Sequence, residues 1–448
     1  MIIKNYKKLA TSKMRAEVLD ILEAGILAVE PRRMLSSVLS YNEDFNSVRV
    51  FNKTYDIMRG RIFVIGGGKA AGSMSEAVEK IIGYQHITAG VVACKDKNFK
   101  CQKIKLIKAG HPFPDRKSVR AVKKILDLKD KFGITEGDLV ICLISGGASS
   151  LLASPVDEIS LTDKQKTTRL LMASGASIDE TNIVRKHLSK IKGGRLAEFF
   201  APAQIISLVI SDVLGDRLDV IGSGPTVLDT STCKDALMVL LKYDVIKKIP
   251  KKVLIYLDRI DKSGLDARVK NLNNTDNYIV GSNQSSLESM AHKAKSLGLK
   301  PIIVGNDVKG NPNVTAYKVV RHILQKKFSG YDVLLYAGET NPKLPEKYGR
   351  GGRNQQFVAA SMLAVKHLDH RWAVGRISTD GIDFNLRVAG ALVDSEDYRL
   401  AQEKKIDIED HVRGYNTYPL FKKMGSALIR TGYTGTNVAD IMVYRLEH

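Results

Sequence analysis

The first half of the chain repeats one theme: an apolar segment of strand length, a glycine- or acid-rich turn, then a helix-forming stretch. "RIFVIGGG" precedes Met74, Ala77, Val78, Ile81 and Ile82 at helical spacing, and "GVVAC" precedes "KSVRAVKKILDLKDKF", whose Val119, Val122, Ile125, Leu126 and Leu128 share a stripe. "DLVICLIS" and "QIISLVIS" are two further strands of the same kind. That alternation predicts a mostly parallel sheet wrapped by helices. A lysine-rich helical stretch from Cys233 to about Lys270 separates this half from a second, in which "NYIVGSN", "PIIVG", "DVLLYAGE", "WAVGRIS" and "GALVD" resume the pattern. A chain of 448 residues exceeds one ordinary core. Two α/β domains facing each other across a cleft are therefore expected, with ligands beyond the carboxyl ends of the strands.

Composition narrows the function classes. The formal charge of +21 comes from lysines and arginines scattered along the chain with little aromatic interleaving, which reads as a solvated basic surface rather than a nucleic-acid site. Such a field would also collect small anions. No apolar run reaches a membrane span and the N-terminus lacks a signal-peptide pattern, so a cytoplasmic protein without a membrane partner is expected. The four cysteines include no Cys-x-x-Cys pair, and Cys142, inside an apolar strand, reads as a buried reduced thiol.

The chemistry lies in the turns. "IFVIGGGKAAG" is not a P-loop, because Phe63 stands where the first glycine belongs and Ala70 follows Lys69. As a dinucleotide fingerprint it fits Gly66-x-Gly68-x-x-Ala71, but the next strand ends in Cys94 and Lys95 rather than an acid. Backbone amides of Gly67 and Gly68 at a helix start, with one lysine, still make an anion site. "ISGGASSLL" fails as a nucleophile elbow at its last position, and His187, which could complete a triad on paper, reads as structural. Its Ser145, Gly146, Gly147, Ser149 and Ser150 suit phosphate or a hydroxy acid instead. In "SDVLGDRLDVIGSGPT", Asp212 follows a strand and could hold Mg²⁺ or accept a hydroxyl proton. In "YAGETNPKLPEKYGRGGRNQQF", Glu339 ends a strand while Arg350 and Arg353 flank a Gly-Gly at a helix start, a pattern favouring an anionic ligand. "STDGID" adds Asp380 and Asp383.

"SGGASSLL", "NIVRKHLSKIKGGRLA", "SDVLGDRLDVIGSGPT", "GRGGRNQQF", "STDGID" and "RTGYTGTNVAD", in this order from about Gly66 to Asp440, closely resemble the class II glycerate kinases with a C-terminal MOFRL domain. The resemblance implies a Rossmann-like N-terminal domain at 1–240 and a second α/β domain at 241–448, with MOFRL at about 330–445 and the active site in the interdomain cleft. It implies ATP-dependent, Mg²⁺-assisted phosphorylation of D-glycerate, most often at the 2-hydroxyl, and leaves room for a homodimer. The family's lysine and arginine map onto Lys69 and Arg353 as catalytic groups, beside Asp212. Gly67, Gly68, Ser145, Gly146, Gly147, Ser149, Ser150, Glu339, Arg350 and Asn354 fall to substrate and nucleotide, and Asp212 and Asp380 to the metal. This chain departs from the pattern at Tyr415-Asn416-Thr417-Tyr418 and at Tyr433. An NAD(P)H-dependent hydroxypyruvate reductase and a non-enzymatic anion- or nucleic-acid-binding protein are the alternative readings.

Overall fold

The computed structural model describes residues 1–57, 60–96, 98–264, 269–368, 370–383 and 388–447. The chain divides into two units, Met34–Val280 and Met1–Arg33 with Gly281–His448. In the first unit six strands form one sheet: β1 (Ile62–Gly68), β2 (Ile87–Cys94), β3 (Ile104–Lys108), β4 (Leu139–Ser145), β5 (Gln204–Ile210) and β6 (Thr275–Gly281). Their spatial order is β3-β2-β1-β4-β5-β6, the Rossmann order, and β1 to β5 pair in parallel. Every residue of β1 and β4 is buried, as strands covered on both faces must be. The expected helix Arg116–Phe132 seats Ala121, Val122, Ile125 and Leu128 against Phe63, Ile65, Val140 and Cys142. Burial there pushes the Cys142 thiol up to about 12, an inert interior thiol.

The division differs from a boundary at 240. "NYIVGSN" does not open the second domain but supplies β6, beside β5 in the first sheet. The helices Cys233–Lys242 and Lys251–Ser263 belong to the connection from β5 to β6. Their Ala236, Leu240, Val253 and Leu257 bury against Leu171, Val184 and Leu188 of the preceding helical layer. Residues 265–268, within the expected helical stretch, lie outside the described residues.

The second unit is built on a mixed sheet of β7 (Pro301–Gly305), β8 (Val333–Ala337), β9 (Trp372–Ser378), β10 (Gly390–Asp394), β11 (Leu428–Ile429) and β12 (Asp440–Leu446), in the order β7-β8-β12-β9-β10-β11. Side chains alternate between its faces. Leu335, Ile377, Ile441 and Val443 meet the helices Lys13–Ala28 and Asn283–Ser296 on one side, whereas Leu334, Tyr336, Met442 and Tyr444 meet Pro312–Leu324 and Arg353–Ala364 on the other. This is why the first residues of the chain pack with the last. Arg15, fully buried, ties the N-terminal helix to Asp397 and to the Ser426 carbonyl.

His187 lies in the helical layer of the first unit, buried beside Asp229, with Nε2 3.2 Å from Ser231 Oγ and Nδ1 3.5 Å from Cys233 Sγ. It is an interior histidine whose pKa burial draws from its ordinary 6.5 down to about 4. The unfolded chain therefore takes up this proton first, so stability is full above about pH 6.5 and is lost as pH falls toward about 4. Urea unfolding across that interval checks this: His187→Gln should flatten the slope, and an unchanged slope would assign the acid sensitivity elsewhere.

Candidate active site

The strand order of the first sheet reverses between β1 and β4, the place where sheets of this kind bind ligands beyond the carboxyl ends of their strands. Two glycines bring the loops together. A Cβ on Gly66 would fall 2.0 Å from the Leu143 carbonyl oxygen, and one on Gly68 2.0 Å from Ser145 Oγ. With nothing in the way, the Lys69 N–H donates to the Gly146 carbonyl (2.8 Å) and the Ala70 N–H to Ser145 Oγ (3.0 Å). Gly67, Gly68 and Lys69 thus share one wall with Ser145, Gly146 and Gly147. Gly147 is left-handed at φ +82°, and a Cβ there would sit 2.9 Å from the His111 ring and 3.3 Å from Lys69 Cγ. Sequence reading passed over His111. Its signal is "AGHPFPD", a histidine held between glycine and prolines directly after β3.

Ser149 Oγ shares a hydrogen bond with Ser223 Oγ (3.0 Å), and Ser150 Oγ donates to the Pro112 carbonyl (2.6 Å). The serine loop is thereby joined to the "GSGPT" turn and to the loop that carries His111. Asp212 is half-buried just past β5, the strand next to β4, at the same edge of the sheet.

In the second unit β8 and β9 end where β12 begins, because both run antiparallel to it. That edge gathers Glu339, Asp380 and Asp440. Arg353 pairs with Asp440 through Nε (2.7 Å) and Nη2 (2.8 Å), and its Nη1 lies 3.0 Å from Glu339. Arg376, 1% exposed, reaches Asp440 at 3.3 Å and the Gly338 carbonyl at 3.0 Å. Burial alone would depress the Arg353 pKa, but Asp440 and Glu339 outweigh it and hold the guanidinium well above its usual value. Burial likewise opposes ionisation of Asp440, yet the two arginines keep it below the usual carboxylate range. Arg353 is therefore clamped, with 24% of its side chain exposed.

The start of the helix Arg353–Ala364 already holds an anion. Asp383 accepts from the Asn354 and Gln355 amides (3.0 Å each) and from Gln355 Nε2 (3.0 Å). It comes this close because residue 352 is glycine, where a Cβ would meet its carboxylate at 2.1 Å. The amides at this helix start are thereby taken by Asp383, within the same chain. Asn354 is fully buried against Asp440. Arg350 is exposed, its guanidinium over the Tyr418 ring at 5.4 Å and its N–H donating to Asn416 Oδ1 (3.0 Å). The segment that departs from the family pattern, Tyr415 to Tyr418, is thus the segment that packs on this loop. Between them lies a cavity of about 150 Å³, lined by Thr340, Leu344, Tyr348, Arg353, Gln356 and Tyr415. Asp380 accepts from Ser378 Oγ and from the Ile382 amide, both at 2.9 Å. Among the described residues no three His, Cys, Asp or Glu side chains converge as a metal cluster, and no helix is long and apolar enough to cross a membrane.

Two family descriptions cover the chain: a domain of unknown function, DUF4147, over residues 17–258, and the MOFRL family over 332–440. These matches define its class, an α/β protein with a DUF4147 part followed by a MOFRL part. Its relatives define it further. It is 36% identical to a glycerate 2-kinase of Pyrococcus horikoshii over 95% of this chain and 97% of that protein. It is also 36% identical, over 88% and 89%, to an Agrobacterium vitis protein provisionally named hydroxypyruvate reductase. The solved structure of a glycerate kinase from Thermotoga maritima superposes with a TM-score of 0.81 at 31% identity, covering 96% of this chain and 98% of that one. The chain belongs to the glycerate kinase family, phosphotransferases with an alcohol group as acceptor.

Removing Asp440 would leave buried Arg376 and partly buried Arg353 facing each other without their shared counter-charge. Asp440→Ala should lower unfolding free energy by about 3–5 kcal/mol, the usual cost of breaking a buried pair from one side. Denaturant titration measures it, and a loss below about 1 kcal/mol, as for an exposed pair, would contradict the clamp.

Proposed function

We propose that this chain transfers the γ-phosphoryl group of ATP to the 2-hydroxyl of D-glycerate, giving 2-phosphoglycerate and ADP. The observation that carries the reading is Lys69, held by glycine-tight contacts at the switch point of a Rossmann-ordered sheet, in a chain whose relatives include named glycerate kinases. Such transfer asks the protein for alignment and positive charge around the moving group rather than for covalent chemistry. Lys69 neutralises phosphoryl oxygens. Its stem lies beside Gly147, where an added Cβ would come within 3.3 Å of Lys69 Cγ. Arg353 acts as a fixed charge: with Asp440 and Glu339 setting its fork, no reorganisation is needed as charge develops on the phosphoryl group.

Asp212 and Asp380 are the carboxylates proposed for the glycerate hydroxyl and for Mg²⁺. Mg²⁺ takes one or two carboxylates and completes its shell with water and phosphate oxygens, so a pair of acids is enough. When bound, Mg²⁺ supplies charge neutralisation on the nucleotide phosphates. Gly67, Gly68, Ser145, Gly146, Gly147, Ser149 and Ser150 line the anionic ligands in the first unit, and Glu339, Arg350 and Asn354 support the second. The reductase reading lacks its ribose acceptor: β2 ends at Cys94, and Asp96 beyond it is bonded to Asn98 through both carboxylate oxygens. With its charge dispersed along the chain, we place the protein in the cytoplasm, acting on small molecules rather than nucleic acid.

Glycerate-dependent ADP release tests these roles. Lys69→Ala should lower kcat on the order of a hundredfold, as for other preorganised charges, in a protein that unfolds like the wild type. Arg353→Lys, which keeps the charge but loses the bidentate fork, should fall by about tenfold or more. Near-wild-type turnover in both would remove electrostatic stabilisation by these two groups from the mechanism.

A further inference from the structure

Beneath the serine loop of the first unit lies a second, smaller cavity whose walls carry three cations. Lys164, Arg185 and Lys192 line it with Ser149, Ser150, Gln165 and Thr168. Lys164 is 5% exposed and Lys192 1%. Lys164 Nζ donates to the carbonyls of Leu188 (2.9 Å) and Arg185 (3.3 Å), and Lys192 Nζ to that of Gly222 (3.0 Å). The charged groups that act on Lys164 are Lys192, Arg185 and Arg195, all cations, and the one that acts on Lys192 is Arg185. Neighbouring Lys186, by contrast, has its own counter-ion, Asp229 at 3.2 Å. Among the described residues no carboxylate pairs with Lys164, Arg185 or Lys192.

Burial first, and then the neighbouring cations, push both lysine amines down, Lys164 well below its ordinary value, so the group is costly to charge until a ligand brings the opposite charge. We propose that this cavity is an oxyanion seat that takes the carboxylate of glycerate. The proposal rests on the kinase reading for the identity of its ligand. At about 20 Å³ the cavity is small, so it takes the head of a ligand and not the body. The half-exposed rim of Pro114, Gln165 and Thr168 gives entry, while the floor is made of the buried lysines. Ser150 Oγ already donates to the Pro112 carbonyl, so the cations and Ser149 make the seat. Burial and Arg185 hold the Lys192 amine near 7, and a seated carboxylate would favour its charged form. The reacting hydroxyl would then lie on the Ser149 side, toward the loop that carries Lys69. A nucleotide phosphate is the other source of the same chemistry.

Calorimetric binding of D-glycerate, glycerol and ATP to the full chain separates these cases. Wild type should bind D-glycerate and not glycerol, which lacks the carboxylate. Arg185→Gln and Lys192→Met should each weaken D-glycerate by about tenfold or more, with ATP affinity unchanged. Loss of ATP affinity instead would keep the oxyanion seat and assign it to a nucleotide phosphate. Should Lys192→Met fail to fold, Arg185→Gln, at a partly exposed position, carries the test. Unchanged affinity for both ligands in folded Arg185→Gln, or a wild-type chain that binds neither, would overturn the proposal. A wild-type chain that binds D-glycerate through these residues but transfers no phosphoryl group would end the kinase reading and leave the seat standing.

Discussion

Parallel strands are ordinarily about 4.8 Å apart, and side chains at their ends keep the loops beyond them further apart than that. At the ends of β1 and β4 glycines remove the side chains that would stand between the two backbones. Gly66 and Gly68 let the first strand lie against Leu143 and Ser145 of the second, where any Cβ would collide with a carbonyl or a hydroxyl. The backbone of Lys69 is thereby bonded to Gly146, and the lysine and the serine loop become one rigid wall at the switch point. The proposed phosphoryl contact depends on that close approach.

In the second unit charge does the equivalent work. Asp440 opens the central strand β12 and binds two arginines, so the aim of Arg353 is set by one carboxylate. Asp383, at the start of the adjacent helix, occupies the amides that a phosphate would otherwise use. What the unit offers a ligand is therefore the remaining exposed part of Arg353 and the cavity beside it, not the helix end.

Much of this was legible in the chain. Unbroken apolar strands such as "LVICLIS" announce a parallel sheet by burial on both faces, and the glycines after β1 mark the close contact because no other residue fits there. Other parts were not legible. β6 reads like the opening of a new domain because its local pattern does not say which sheet it joins; the packing of two intervening helices decides that. The first helix packs on the second sheet for the same reason, since Val18 and Leu22 carry no address of their own. Asp440 stands at the end of a glycine–threonine turn and looks like a turn residue until two distant arginines converge on it. Lys164 and Lys192 look like surface lysines in a strongly basic chain, and only burial sets them apart.

Phosphoryl transfer to a hydroxy acid is the proposed reaction, with Lys69 at the switch point of the first sheet and Arg353, fixed by buried Asp440 and by Glu339, each proposed to act in it. Identification by phosphorus and proton NMR of what the purified chain makes from ATP, Mg²⁺ and D-glycerate tests it most directly. The account predicts 2-phosphoglycerate appearing in step with ADP. ATP left intact, or a product phosphorylated at the 3-hydroxyl, would contradict it.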